Sequence, residues 1–269
     1  MTCDDILSFY LESKQDGKLI KEYLHQHISS ALSYAEEVES SRAGRLARLY
    51  AREADFAELL RLSIVLHDVG KAFYQNMDLN LRENKETGER YLSFAGHEYI
   101  SATIAYDFVF DVSKRRNSPY HDAITFSILY HHHAMGSREK IVNKLRKRLQ
   151  KMTLSEYQEC LDKLGSLLNR FLPDYGDVFE DVLKSLGKSQ TMLVDPIILH
   201  KRISEVFVHA SKPSHKKLAF LLLDSLIVCD YLAASKSRGG WSRFQKTVRE
   251  FYRQWLASAA SSQVDRSTF

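Results

Sequence analysis

The chain of 269 residues is 44% hydrophobic and 27% charged, and its formal net charge is +4. This composition excludes a disordered chain, and the mild positive charge permits a polyanionic partner without requiring one. The three cysteines lie far apart and form no CxxC pair, so we expect no disulfide framework. The first residues are acidic where a signal peptide is basic, and no uninterrupted apolar run is long enough to span a bilayer. We therefore expect a soluble, cytoplasmic protein without membrane contact.

Helical spacing of apolar residues dominates the first part of the chain. It predicts an amphipathic helix over residues 18–38 and one or two helices over 42–69, the last ending near Gly70 in a left-handed C-cap. The polar residues 73–95 are expected to form an exposed connector. Because the chain has only 11 Gly and 4 Pro and no convincing strand pattern, the predicted fold class is all-α.

The rest of the chain continues this helical pattern with segments of different character. The predicted helices cover residues 97–110, 121–133, 138–151 (basic), 217–235 (strongly apolar) and 241–260. Residues 153–195 are helical but acidic and interrupted by a turn, which favours a peripheral lobe. We expect a single domain over residues 1–269, with a helical core from about 18–136 and 215–236 and a peripheral insertion over about 138–195.

Several histidines lie on the predicted inward faces of four helices. They are His27, His67, His97, His131 and His132. Asp68 follows His67 directly, and Asp230 lies in the most apolar helix. A single inward histidine is usually a core residue bonded to a carbonyl, but so many would each need a buried partner, whereas one metal site satisfies them together. More than four ligands favour two metal ions, with Asp68 as the bridging carboxylate.

Three of these assignments have an alternative in the sequence. His25 competes with His27, although its neighbours one turn away are polar. His133 extends the histidine pair to a triple, so residues 132–133 could replace 131–132. Asp224 is the weaker alternative to Asp230, because it lies about 120° away around the same helix axis.

The order of these residues resembles the HD superfamily of metal-dependent phosphohydrolases. The resemblance rests on "HDVGK" at 67–71, "GHE" at 96–98, "YHHHAMG" at 130–136 and "CDYLAAS" at 229–235, and it spans residues 20–236. The fuller pattern is similar to one branch, the CRISPR-associated HD nucleases of type I interference systems. Those nucleases occur fused to a helicase or as separate subunits.

The resemblance implies a role for each matching position. One divalent ion would be held by His27, His67, Asp68 and Asp230, and a second by Asp68, His97, His131 and His132. Asp68 and Lys71 would be catalytic, with Lys71 contacting the scissile phosphate or stabilising the leaving oxygen. Mn²⁺ or Mg²⁺ is expected in assays, while the His/Asp ligands also suit Co²⁺, Ni²⁺ or Fe²⁺.

The implied reaction is hydrolysis of phosphodiester bonds in single-stranded DNA, with RNA and the exo- or endonuclease mode left open. The chain shows no helicase motif, so a separate CRISPR helicase subunit and the interference complex are the expected partners. An HD phosphohydrolase acting on nucleotides or small phosphate esters is the alternative.

Basic residues near the predicted ligands are candidates for DNA contact, with a solvated helix face as the open alternative. The candidates are Lys140, Lys144, Lys147, Arg148, Lys236 and Arg238. Stacking on unpaired bases is expected from Phe73, Tyr74, Trp241 and Phe244.

Overall fold

A computed structural model describes most of the chain, namely residues 5–15, 17–51, 55–116, 121–132, 144–145, 147–149, 151–188, 213–238 and 245–254. Helices dominate it, so the all-α class is confirmed. The α-helices are α1 (Leu24–Ser40), α2 (Arg42–Ala51), α3 (Phe56–Leu66), α4 (Met77–Asn80), α5 (His97–Arg116), α6 (His121–Tyr130), α7 (Leu154–Phe171), α8 (Gly176–Lys188) and α9 (Pro213–Arg238). Two 3₁₀ helices cover Val69–Tyr74 and Pro173–Tyr175, and residues 245–254 are also helical.

Helix α9 lies at the centre of the core. It packs against α1, α2, α3 and α6, and residues such as Leu222 and Leu226 are fully buried. By length and composition α9 is apolar enough to cross a membrane, but most of that apolar stretch is buried inside the domain. Burial of most of its surface explains an apolar sequence without a narrow apolar stripe. It is therefore a core helix of this domain.

A small antiparallel sheet covers one end of the helical core. Its strands are β1 (Leu7–Glu12), β2 (Leu19–Tyr23), β3 (Leu81–Glu83) and β4 (Arg90–Leu92), in the order β2-β1-β4-β3. The predicted helix start at residue 18 is wrong, since β2 runs to Tyr23, and so is the exposed connector over 73–95. That segment contains β3 and β4 and buries Tyr74, Asn80 and Leu92. The strands are short and only half-buried, so their pairing depends on distant residues more than on a local pattern.

Helices α7 and α8 pack directly on the remainder of the core. The rings of Phe108 in α5 and Phe179 in α8 stack at 3.8 Å between centroids. Arg61 in α3 donates a hydrogen bond to the carbonyl oxygen of Phe171 at 2.7 Å. The part of the predicted peripheral lobe that the structure describes thus shares its hydrophobic core with α3 and α5.

The predicted left-handed cap at Gly70 is wrong, because this glycine lies inside the 3₁₀ helix Val69–Tyr74 and has no positive φ. Its role is close packing. A Cβ atom at this position would lie 2.2 Å from the carbonyl oxygen of His97, and the Gly70 amide donates to Ser101 Oγ at 2.8 Å. The glycine therefore lets the chain after His67 and Asp68 approach the first turn of α5.

Candidate metal centre

All seven predicted ligands lie in one cluster, although they come from five parts of the chain. His27 is in α1, His67 and Asp68 follow α3, His97 begins α5, His131 and His132 follow α6, and Asp230 is in α9. The cluster consists of two groups of four residues. Within each group, the donor atoms all lie within 4.8 Å of one another. We name His27, His67, Asp68 and Asp230 the inner set, and Asp68, His97, His131 and His132 the outer set.

Asp68 is shared because its two carboxylate oxygens face different sets. Oδ1 lies 2.8 Å from His97 Nε2 and 3.9 Å from His131 Nε2. Oδ2 lies 3.3 Å from His67 Nε2 and 3.5 Å from His27 Nε2. The side chain is 1% exposed, so it is removed from water at the position between the two sets.

Backbone carbonyls fix the orientation of three imidazole rings. The Nδ1 atom of each ring is bonded to the carbonyl oxygen three residues earlier in the chain, at 2.7 Å for His67 and His97 and at 2.6 Å for His131. A carbonyl accepts only, so Nδ1 carries the proton in these bonds. Nε2 of each ring is then directed into the cluster, which is the usual arrangement behind a metal-ligating histidine.

A buried carboxylate that the sequence analysis missed orients His27. Glu22 Oε1 lies 3.2 Å from His27 Nδ1, and Glu22 Oε2 accepts hydrogen bonds from Ser8 Oγ at 2.9 Å and from Arg238 Nε at 3.0 Å. Burial raises the pKa of Glu22, but His27 and Arg238 outweigh it and lower the pKa below the usual range. The signal in the sequence is an acid five residues before His27, on a segment that the apolar spacing predicts to be helical.

The donor atoms of the cluster fit divalent ions. Five atoms of the cluster are among the buried side-chain atoms that have no hydrogen-bond partner in the described part of the chain: Nε2 of His67, His97 and His131, Nδ1 of His132, and Oδ1 of Asp68. Unprotonated nitrogens and carboxylate oxygens both present lone pairs, so their close approach is unfavourable unless a cation lies between them. Nitrogen and oxygen donors together suit borderline ions such as Mn²⁺, Fe²⁺, Co²⁺ or Ni²⁺.

Protonated histidines could not supply the positive charge of such ions in the outer set. Burial lowers the pKa of His131 and His132, which keeps both rings neutral. In the inner set burial lowers the pKa of His67, but the charge of Asp68 outweighs it and raises the pKa to about 10. The inner set therefore favours a positive charge, which a metal ion would supply in place of the proton.

The carboxylates of the cluster are ionised. Burial raises the pKa values of Asp68 and Asp230, but the neighbouring histidines, and Lys71 for Asp68, lower them well below the usual range. Lys71 Nζ lies 2.6 Å from Asp68 Oδ2 and 5.4 Å from the centre of the Phe94 ring. The predicted catalytic lysine is thus paired with the shared carboxylate.

The structure also shows which of the alternative ligands belong to the cluster. His25 lies outside both sets and stacks on Tyr23, with 6.0 Å between ring centroids. Asp224 is exposed on α9, whereas Asp230 is buried in the inner set. His131 and His132 both belong to the outer set, and His133 lies outside the described residues.

A cavity of about 400 Å³ opens onto the centre. Its lining includes Lys71, His97, His132 and Asp230. Aromatic side chains form much of its remaining wall, namely Phe9, Tyr91, Phe94 and Tyr231. A ligand in this cavity would therefore contact residues of the candidate metal centre as well as aromatic rings.

The predicted DNA-contacting residues lie in different environments. Lys144, Lys147 and Lys236 are exposed, and Lys140 lies outside the described residues. Arg148 is half-buried, with its guanidinium 4.0 Å from the centre of the Tyr74 ring and a hydrogen bond to Asn80.

Arg238 is held within the protein, with Nη2 2.8 Å from Glu22 Oε2. Phe73 and Tyr74 are buried in the core, so the prediction that they stack on bases is wrong. Trp241 and Phe244, the other predicted stacking residues, lie outside the described residues.

Comparison with known families agrees with this geometry. A family model for the HD domain matches residues 39–169, just under half of the chain, and an HD domain implies a metal-dependent hydrolase. The match includes the histidines and Asp68 of the outer set, but His27 and Asp230 lie outside it and join the centre only through the fold. No significant match was found among curated proteins or among solved structures.

Proposed function

We propose that this protein is a two-metal phosphodiesterase that hydrolyses single-stranded DNA. The observation that carries the proposal is Asp68, whose two oxygens face two separate sets of histidines. Two divalent ions that share a carboxylate would act as Lewis acids on the phosphate and lower the pKa of the attacking water. Such a pair suits in-line displacement at phosphorus better than other hydrolytic chemistry.

The chain's own residues would position the substrate and control charge around it. His97 and His132 lie on the wall of the 400 Å³ cavity, so the scissile phosphate would approach the outer set from that side. Lys71 lines the same wall and neutralises part of the charge of Asp68, which reduces repulsion of an incoming phosphate. The hydrogen bonds from the imidazole Nδ1 atoms to backbone carbonyl oxygens would hold the Nε2 donor atoms in place during the reaction.

Two features support a polynucleotide substrate. Aromatic rings of Phe9, Tyr91 and Phe94 in the cavity wall offer surfaces on which bases can stack. Lys144 and Lys147 are exposed cations on the helix that follows the outer-set histidines in the chain. A biological role in CRISPR interference in the cytoplasm, with a separate helicase subunit as partner, rests on the sequence resemblance alone.

Hydrolysis of nucleotides or small phosphate esters is a second candidate. A cavity of about 400 Å³ with aromatic walls and a polar end lies within the size range of small-molecule sites. A nucleoside monophosphate ester could place its base against Tyr91 and its phosphate against the outer set. The same metal centre would then serve a substrate that needs no further contact with the protein surface.

One assay separates the two candidates. Metal-stripped protein would receive end-labelled single-stranded DNA or a panel of nucleotides, with Mn²⁺, Mg²⁺, Co²⁺ or Ni²⁺ added back. We expect metal-dependent cleavage of the DNA, and the product ladder gives the polarity. The H67A/D68A double variant is the control and should be inactive. Turnover of nucleotides with intact DNA would contradict the proposed substrate and favour the second candidate.

A further inference from the structure

A second cavity, of about 320 Å³, lies beside the first and is strongly basic. Its charged lining residues are Arg82, Lys144, Lys147, Arg148 and Lys151, and we name it the basic cavity. Its other described lining residues, Leu79, Ser93 and Ala95, carry no charge. Cations from β3 and from the segment around residues 144–151 thus converge on one concave surface.

The positive charge of this cavity is not balanced locally. In the part of the chain that the structure describes, none of Lys144, Lys147 and Lys151 is within ion-pair distance of a carboxylate. Burial lowers the pKa of Arg148, and the nearby charge of Arg82 lowers it further. Like charges held this close are unfavourable unless an anion binds between them.

One of the cations is held in a fixed position. The Arg148 guanidinium lies 4.0 Å from the centre of the Tyr74 ring, and it also donates to Asn80 Oδ1. Asn80 is itself buried and donates to the Tyr74 carbonyl oxygen at 2.8 Å. A planar guanidinium fixed in this way suits a phosphate group, while the exposed lysines around it add charge.

The basic cavity adjoins the candidate metal centre. Ser93 and Ala95 line both cavities, so the short segment between β4 and α5 forms their common wall. His97, a member of the outer set, follows Ala95 by only two residues. The two cavities are thus neighbours, which is the arrangement that two linked phosphates would require.

We propose that the basic cavity binds a phosphate group of a single-stranded polynucleotide adjacent to the one that is cleaved. This inference rests on the proposed function, because it assigns the second cavity to the same substrate. A phosphate linked to the scissile one could also belong to a nucleoside triphosphate. We assign it to a polynucleotide because five cations line the basic cavity, from Arg82 on β3 to the exposed Lys144, Lys147 and Lys151, and such a concentration of positive charge suits a polyanionic chain.

The test is the salt dependence of DNA binding by metal-free protein in EDTA, measured by fluorescence anisotropy with labelled single-stranded DNA. The slope of log K against log salt is negative, and each lost phosphate contact reduces its magnitude by about 0.7, so loss of the one phosphate in the basic cavity in K147A/K151A should reduce it by about 0.7. The matched control is K184A/K188A, which removes two lysines with the same spacing from α8. It should leave the slope unchanged.

Activity measurements distinguish failure of this inference from failure of the proposed function. With Mn²⁺, K147A/K151A should raise the KM for DNA severalfold and leave hydrolysis of bis(p-nitrophenyl) phosphate unchanged. Equal slopes for the two double variants would overturn the assignment of the basic cavity. A raised KM for a nucleoside triphosphate with unchanged DNA binding would also overturn it. Wild-type protein that hydrolyses neither substrate would overturn the proposed function, while a reduced slope would still support the phosphate site.

Discussion

The inner and outer sets use the same kinds of ligand in different proportions. The inner set has two carboxylates and two histidines, all buried, whereas the outer set has three histidines and only the shared Asp68. His132 is half-buried, and together with His97 it borders the 400 Å³ cavity, to which the inner set contributes Asp230 alone. More negative charge and less solvent favour tight retention of a divalent ion. We therefore expect the inner ion to be retained and the outer ion to exchange and meet the substrate.

The largest effect is expected at the ligand common to both sets. D68N keeps the shape of the side chain but removes the charge that each ion would share, so both ions should bind weakly. We expect kcat/KM for DNA to fall by about 10³-fold or more, which corresponds to roughly 4 kcal/mol. Metal content and single-turnover cleavage measure the two effects. Substantial activity in D68N would contradict a bridging role for Asp68.

A pair of variants separates the two sets. H67A removes a ligand of the inner set alone, and H132A removes one of the outer set alone. Elemental analysis after dialysis should show that H132A retains one ion per chain, whereas H67A loses the tightly held one. Both variants should lose hydrolysis, because the proposed reaction would use both ions. Identical metal content in the two variants would show that the two sets do not differ in how tightly they retain an ion, contrary to what their ligands suggest.

The carboxylate behind His27 should act on the inner set only. E22Q weakens the bond that orients His27, and loss of such a partner reduces metal affinity by about 10- to 100-fold. R238Q is the matched control, since it removes the ion pair to Glu22 and leaves the bond between Glu22 and His27. Calorimetric titration with Mn²⁺ should show a smaller loss for R238Q. An affinity loss confined to the outer set would contradict this role for Glu22.

The smallest effect is expected on the cavity wall. Y91A removes an exposed aromatic ring near the outer set, and the lost stacking should raise the KM for DNA by about fivefold, or roughly 1 kcal/mol. Metal content should stay unchanged in both sets. Y10A is the control, because Tyr10 is on the neighbouring strand β1 and is not among the residues that line the cavity. Equal KM values for Y91A and Y10A would exclude stacking on Tyr91.

The sequence predicted the helices and the ligand positions for the same physical reason. Apolar spacing identifies inward faces, and a histidine or aspartate on such a face needs a partner. Glu22 could not be predicted in this way, because β2 is stabilised by pairing with β1 rather than by an apolar spacing of its own. The cavity wall could not be predicted either, since Tyr91 pairs with Leu11, which is distant in the sequence. Local patterns thus predicted the ligands, while the groups that surround them depend on contacts that only the fold provides.

Electron paramagnetic resonance of Mn²⁺ bound to the wild-type protein tests the central claim most directly. Two ions that share the Asp68 carboxylate should be magnetically coupled. We predict two Mn²⁺ per chain and a coupled spectrum, which H132A should convert to that of an isolated ion. One Mn²⁺ per chain, or two without coupling, would contradict a centre bridged by Asp68.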